Sequence, residues 1–435
     1  MDGRMLHLGI NINGLGHPSA WRRPDTDPLA ASGPEFLVDT ATWAEKGLFD
    51  VFFMADVPAL QGSLSSAPQG QSLEPVAALS AVAVRTSRIG LVATLSTTFS
   101  HPYSLARSVA TLDRLSHGRA GWNVVTSHSP DSARSYGMGS PPAKEERYRR
   151  AEEFVDVVER LWRTWGGEDL VLDKETGSFA DEAKVRRIDH RGAFFSVAGG
   201  STVPRSEQGS PVIFQAGASE HGLLLAHRHA DAVFVAASSR EVALDYRRRL
   251  AALPPAERRS PLAPLVLPGL VLTLAADDEA ARRRRASLDT AEVSDARAAF
   301  VAARLGLDPG EVGPDDRVPL DRIDVVGQRD RTSAGFFDST LALARRGLTL
   351  REIAREGAGH LQLTGSPRTV AAQIESWFRS GAVDGFNLMF DIVDEGLPLF
   401  VESVVPLLQA SGIYRRDYTG STLRSHLGLT EGGTP

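Results

Sequence analysis

Two short stretches of this sequence have the residue types and spacing to hold a phosphate. Gln215-Ala216-Gly217-Ala218-Ser219 runs from a predicted strand end into a predicted helix. Gly217 allows close backbone approach, and the helix N-terminus offers unpaired N–H groups at its positive dipole end. A plain N-cap is the alternative reading of Ser219. Lys144-Glu145-Glu146-Arg147-Tyr148 opens a long predicted helix and puts Lys144 and Tyr148 one turn apart. Tyr148 reads equally as a packing residue. A third set of candidates is polar and mostly uncharged: Asn11, Asn13, Asp56, Thr94, Ser96 to Thr98, Asn123 and Thr126. Each falls at or near the C-terminal end of a predicted strand. Hydrolysis would call for several carboxylates and histidines there, whereas a neutral polar mouth suits a large cofactor that carries the chemistry itself. His17 and His128, beyond the first and fourth strands, are the candidates for proton handling or substrate contact, with a structural role as the alternative.

Other chemistries find no support. The 11 histidines include no His-Glu-x-x-His, and His227 and His229, two apart on a predicted helix, face different ways, so no metal site is expected. Gly-x-Ser-x-Gly is absent, which leaves a nucleophile elbow unsupported. Zero cysteines exclude disulfides, thiolate zinc, iron–sulfur clusters and cysteine nucleophiles. A net charge of −6 over 435 residues gives no electrostatic reason to expect nucleic acid or a membrane surface. No apolar run approaches a membrane span, and the N-terminus lacks a signal-peptide layout, so the expectation is a cytoplasmic protein without a membrane partner.

The elements that must position these residues alternate along the chain. Predicted strands cover Leu6–Asn13, Asp50–Asp56, Arg88–Ser96, Ala120–Thr126, Pro211–Ala216, Asp231–Ala236, Leu265–Ala275 and Gly385–Asp391. Amphipathic helical stretches separate them. Short, nearly continuous apolar strands are what a sheet covered on both faces requires. Eight such units predict an α/β chain closed as a (β/α)8 TIM barrel, a single domain over 1–435. A doubly wound sheet is the alternative, but no Gly-x-Gly-x-x-Gly follows an early strand. Two stretches exceed a bare barrel, at about 166–210, with a hairpin expected around Ile188–Val197, and at about 277–365, charged and helical in character. The basic run Arg282–Arg285 in the latter reads as a solvated helix face. The polar, Gly-rich tail after Gly412 is expected at the surface or at a subunit contact.

The chain resembles the bacterial luciferase-like flavin monooxygenases, in the branch of nitrilotriacetate monooxygenase, dibenzothiophene-sulfone monooxygenase and the pristinamycin IIA synthase large subunit. The resemblance runs from about Leu6 to Leu429. It rests on Gly16-His17-Pro18-Ser19-Ala20-Trp21-Arg22, Phe53-Met54-Ala55-Asp56, Glu74-Pro75, Ala93 to Thr98, Gly118 to Ser127, Glu146-Arg147-Tyr148 with Ala151-Glu152-Glu153-Phe154, Gln215 to Ser219, Asp384 to Asn387, and Tyr418 to Arg424.

The resemblance implies a (β/α)8 barrel with insertions and a two-component, FMNH2-dependent monooxygenase. It would use O2 to oxygenate a small organic substrate through a flavin hydroperoxide, with FMNH2 supplied by a separate NAD(P)H-dependent flavin reductase, by diffusion. It also implies a homodimer or homotetramer. Carried over by motif, Asp56 and Thr94 line the flavin ring and ribityl side with Asn123 close by, while Tyr148 and Ser219 hold the phosphate at Gly217. Lys144 departs from the family, where His-x-x-x-Tyr spacing is frequent. Its ammonium either reaches the phosphate or points to solvent. The Arg134-Ser135-Tyr136-Gly137 region also departs, so no relative's substrate carries over. The 277–365 stretch reads either as a lid or as an architectural insertion. Two further readings remain open at this stage, a deazaflavin-dependent hydride-transfer enzyme and a non-catalytic flavin-binding protein.

Overall fold

The computed structural model describes residues 4–12, 14–60, 73–331, 333–357 and 359–429. Asn13, one of the strand-end candidates, lies outside them. Eight parallel strands form the centre: β1 (His7–Ile12), β2 (Val51–Met54), β3 (Gly90–Ser96), β4 (Ala120–Val125), β5 (Val212–Gln215), β6 (Ala232–Val235), β7 (Leu265–Leu274) and β8 (Gly385–Phe390). Each falls within a predicted strand. Neighbours pair in sequence order, and the ring closes through Gly269↔Asn387 between β7 and β8 and His7↔Gly385 between β8 and β1. The Ala232↔Leu265 register joins β6 to β7, so no edge is left as in a doubly wound sheet.

Helices form the outer layer because each carries one apolar stripe facing the strands. Pro34–Lys46, Pro75–Ala83, Pro102–Leu115 and Pro367–Arg379 all start on a proline, whose missing N–H costs nothing in a first turn. Leu8, Ile10, Phe52, Leu91, Leu270, Phe386 and Leu388 are fully buried between strands and helices.

The tail after Gly412 does not lie loose on the surface. Leu423 is fully buried against the N-terminal end of the barrel, where a Cβ on Gly90 or Gly121 would run into it. Tyr418 donates to the Phe49 carbonyl at 2.7 Å, and Arg424 pairs with Asp231 at 3.0 Å. Two leucines, Leu423 and Leu427, embedded in an otherwise polar run are enough to plug the barrel floor.

Beyond β4 and its long helix, Lys144–Trp162, two hairpins follow, Leu170–Asp173 with Ser178–Ala180 and Ile188–Arg191 with Ser196–Gly199. After β7, helices including Ala291–Arg304, Ala334–Arg345 and Leu350–Glu356 pack round their own apolar cluster, which contains Val301, Phe337 and Ile353, while Leu288 of the helix Asp278–Leu288 packs with Leu15, Ala20 and Ile392. This stretch is not wholly helical. Leu361–Gly365 is a strand that pairs parallel with the second half of β7. At 10 residues β7 outruns the 4 of β6, and the extra strand covers backbone groups that would otherwise be unpaired.

Candidate functional site

The C-terminal ends of the strands carry two cavities. The first, about 390 Å³, opens beyond β4 and β5. Asp56, His128, Lys144, Tyr148, Gly217 and Ser219 all line it, as does Arg147.

Its geometry follows from two helix starts. Ser219 caps the helix Glu220–His229 by accepting from the Gly222 N–H at 3.1 Å, and its hydroxyl also reaches the Tyr148 hydroxyl at 3.3 Å. Gly217 packs so tightly on that helix that a Cβ there would sit 2.9 Å from Gly222 Cα. Tyr148 stacks on His221, with ring centroids 5.5 Å apart. The facing helix begins at Lys144 without a side-chain cap, and its Lys144, Arg147 and Tyr148 line the cavity. Arg147 is buried. One of its Nη groups donates to the Pro142 carbonyl at 2.6 Å, and its Nε has no partner among the described residues. Sequence reasoning quoted Arg147 in a motif but did not assign it to the site. Its position one residue before Tyr148 was the available signal.

Burial, reinforced by the charges of Arg147 and Lys144, pulls the His128 pKa below its usual value, which leaves the ring neutral at pH 7. At the other side of the cavity, burial and then the neighbouring Glu74 carboxylate push Asp56 up to about 6. Thr94 and Asn123 do not line the cavity. They sit buried inside the barrel, where Asn123 Nδ2 donates to Thr94 Oγ1 at 3.0 Å and Asn123 Oδ1 has no partner among the described residues.

The second cavity, about 250 Å³, lies at the ends of β1, β7 and β8 and contains His17. The Ser19 N–H donates to His17 Nδ1 at 3.2 Å, so the ring proton sits on Nε2, which faces Asp289 at 3.3 Å. Burial lowers the His17 pKa despite that carboxylate. Burial works to raise Asp289, but the His17 hydrogen bond and the charges of Arg285 and Arg297 outweigh it and hold the carboxyl far below the usual range. Arg285 reaches Asp289 at 3.1 Å and Arg297 at 2.8 Å.

These contacts overturn the reading of Arg282–Arg285 as a solvated face. Arg282 and Arg283 are exposed, but Arg284 clasps Asp391 through bonds of 2.9 and 3.0 Å, and Arg285 lines the cavity. The missed signal was Asp289, four residues after Arg285 and so one turn further along. Phe336 lines both cavities and forms a wall between them. His227 and His229 stay outside both, the first bonded to the Pro254 carbonyl and the second held between Glu152 and Glu159.

The luciferase-like monooxygenase family matches residues 17–384. The chain is 36% identical over 430 residues to an N-acetyl-S-(2-succino)cysteine monooxygenase of Bacillus subtilis, covering 98% of this chain and 97% of that one. It is also 36% identical to component A of the nitrilotriacetate monooxygenase of Aminobacter aminovorans, with 98% and 97% covered. Among solved structures, a riboflavin lyase with modified FMN and riboflavin superposes with a TM-score of 0.84 at 28% identity, covering 99% of this chain and 97% of that one.

Proposed function

The chain belongs to the luciferase-like monooxygenase family, and on that premise we propose that it is the oxygenating component of a two-component system. In this reading it takes reduced FMN from a separate NAD(P)H-dependent reductase and oxygenates a small organic substrate with O2. The observation that carries the reading is the first cavity. It has two hydroxyls, two cations and two helix starts at one end, the donor set that a phosphate monoester requires. Its volume falls in the range of cofactor sites, roughly 300–1,000 Å³. The partnerless Arg147 Nε and the tight Gly217–Gly222 contact fit a phosphate approaching the backbone there.

Reduced FMN, when bound, supplies two electrons with which one oxygen atom of O2 enters the substrate and the other leaves as water. The chain's own residues then have separable tasks. Tyr148 and Ser219 donate hydroxyl hydrogens to the phosphate, each such bond being worth roughly 1.5–3 kcal/mol. Arg147 and Lys144 neutralise its charge. Asp56, with its raised pKa, holds a proton at the opposite side of the cavity up to about pH 6. His128 stays neutral and His17 keeps its Nε2 proton turned to Asp289, so neither adds a cation beside the reacting centre.

The test separates the two components. The purified chain with FMN and NADH or NADPH should neither oxidise the nucleotide nor consume O2. Adding a flavin reductase from an unrelated source should start formation of oxygenated product that requires this chain and O2, because the reduced flavin arrives by diffusion. Nucleotide oxidation by the chain alone, stoichiometric with product, would overturn the proposal.

A further inference from the structure

The loop that joins β5 to its helix has its backbone held from behind. Gly217, Ala218 and Ser219 of this loop all line the first cavity. The Gly217 N–H donates to the Gln215 side-chain carbonyl at 2.8 Å. The Gly217 carbonyl accepts from the Tyr246 hydroxyl at 3.1 Å. Tyr246 stands on the helix Arg240–Ala251 after β6, is buried, and does not line the cavity. One turn further along that helix, Arg249 reaches the Ala218 carbonyl at 3.4 Å. From the insertion, Gly335 packs directly on the loop, since a Cβ there would sit 3.0 Å from the Ala218 Cβ.

Tyr246 packs within the main apolar cluster between strands and helices. A phenylalanine would fill the same space, so packing does not account for the hydroxyl. A buried hydroxyl is costly unless it is hydrogen-bonded, and this one is committed to a single loop carbonyl. Burial pushes its pKa above the usual tyrosine range, so it remains a donor throughout the neutral pH range.

That bond fixes the orientation of one peptide unit. In a planar trans peptide the carbonyl and the following N–H point in opposite directions, and the described residues include no cis bond. With the Gly217 carbonyl turned to Tyr246, on the protein side of the loop, the Ala218 N–H is turned to the cavity side. The reverse orientation would place a carbonyl oxygen, the negative end of the peptide dipole, where an anion has to sit.

We propose that Tyr246 is a positioning residue for the phosphate site. Its hydroxyl fixes the Gly217–Ala218 peptide so that the Ala218 N–H, and not the Gly217 carbonyl, faces the phosphate oxygens of reduced FMN. That the anion is the flavin phosphate rests on the reading of the first cavity above; the peptide orientation rests on the hydrogen bonds alone.

The experiment is anaerobic titration of the full chain, wild type and Tyr246→Phe, with reduced FMN and reduced riboflavin, which differ only in the phosphate. Tyr246→Phe should weaken reduced FMN about fivefold, the equivalent of one neutral hydrogen bond, and leave reduced riboflavin within about twofold. A residue that merely supports the fold would weaken both flavins alike or neither, so either result overturns the proposal. A second measurement needs no variant and decides even if Tyr246→Phe does not fold. Hydrogen–deuterium exchange resolved to single amides should show the Ala218 N–H slowed by FMN and by inorganic phosphate, but not by riboflavin. Unchanged Ala218 exchange at saturating FMN would overturn the proposal. Failure of the flavin reading looks different: inorganic phosphate still slows the Ala218 amide, and neither flavin binds.

Discussion

The two cavities at the barrel mouth balance charge in opposite ways. The first cavity gathers Lys144, Arg147, Tyr148 and Ser219 from two helix starts, with Asp56 as its lining carboxylate among the described residues. The arginine cavity is an internal knot, in which one carboxylate, Asp289 of the insertion after β7, joins His17 of the loop after β1, 272 residues earlier, to two arginines four and eight residues from itself. The first takes its polar groups from two helix starts on the barrel, with Ser333, Ala334 and Phe336 of the insertion lining one side. The second exists only while the insertion is docked on the barrel. Removing one group should therefore weaken a ligand in the first case and loosen the structure in the second.

The largest effect is expected at that knot. Asp289→Asn leaves His17, Arg285 and Arg297 without their shared partner, and breaking a buried pair costs about 3 kcal/mol or more. Urea unfolding should show it, with FMN affinity of the folded fraction unchanged. The sign with pH follows from the carboxyl being held low. Its contribution is complete above the unfolded value near 3.9 and is lost as pH falls through the lower folded value. The gap between wild type and variant should thus be constant from about pH 5 to pH 8 and narrow progressively as pH falls below about 4. A gap that closes near neutral pH would mean that Asp289 does not set the stability of this joint.

The same contrast explains how much could be read in advance. Strand spacing gave all eight barrel strands, since apolar runs of the right length between amphipathic helices have few other uses. The meeting of Lys144, Tyr148, Gly217 and Ser219 at one cavity, proposed above to hold the phosphate, was legible because each pair is a spacing of a few residues at a helix start. Arg147 escaped because its usefulness depends on burial, which no spacing encodes. The arginine cavity escaped because partners hundreds of residues apart meet only after the ring closes. Arg282–Arg285 looks uniform in sequence, yet helical rotation sends Arg282 and Arg283 to solvent and Arg284 and Arg285 inward. Leu361–Gly365 was hidden for a similar reason: its role depends on β7 being longer than β6.

On the phosphate side, Tyr148→Phe and Ser219→Ala should each weaken binding of reduced FMN about tenfold or more, the equivalent of 1.4 kcal/mol per decade. Anaerobic fluorescence titration would measure it. The comparison sharpens if neither change shifts the urea midpoint by much. Ser219→Ala is the harder case, because it also removes an N-cap worth about 1 kcal/mol, so Ser219→Thr serves as its control. Affinities within a factor of two of wild type for both variants would remove these residues from the site.

Asp56 gives a smaller effect with a definite sign. Its folded pKa of about 6 lies above the unfolded value near 3.9, so wild type loses stability as pH rises from about 4 to about 6 and not further. Asp56→Asn should remove that slope and gain stability relative to wild type at pH 7 but not at pH 4. Partial exposure and solvent screening keep the gain below roughly 1 kcal/mol. Thermal melts at the two pH values would show it, and a gain of equal size at both would assign the effect to packing.

The smallest effect, at Lys144, discriminates most finely. Two cations line the phosphate end, and they differ in setting: Arg147 is buried, whereas Lys144 is half-buried at the start of its helix. A unit charge about 4 Å from a phosphate oxygen contributes roughly 1–4 kcal/mol between fully aqueous and surface-like dielectric. Ordering a long side chain and partial solvation reduce this to about 0.7 kcal/mol for an accessible pair. Lys144→Ala should therefore weaken reduced FMN only about threefold at low salt. The difference should vanish near 1 M salt, where the screening length falls to about 3 Å. Arg147→Met should cost more and keep most of its effect in high salt, because burial shields that charge from ions. If Lys144→Ala changes neither the affinity nor its salt dependence, the ammonium points away from the phosphate and Arg147 alone supplies the positive charge of this end. If it costs as much as Tyr148→Phe, the local receptor is more enclosed than its open rim suggests, and the contrast between the two cavities weakens accordingly.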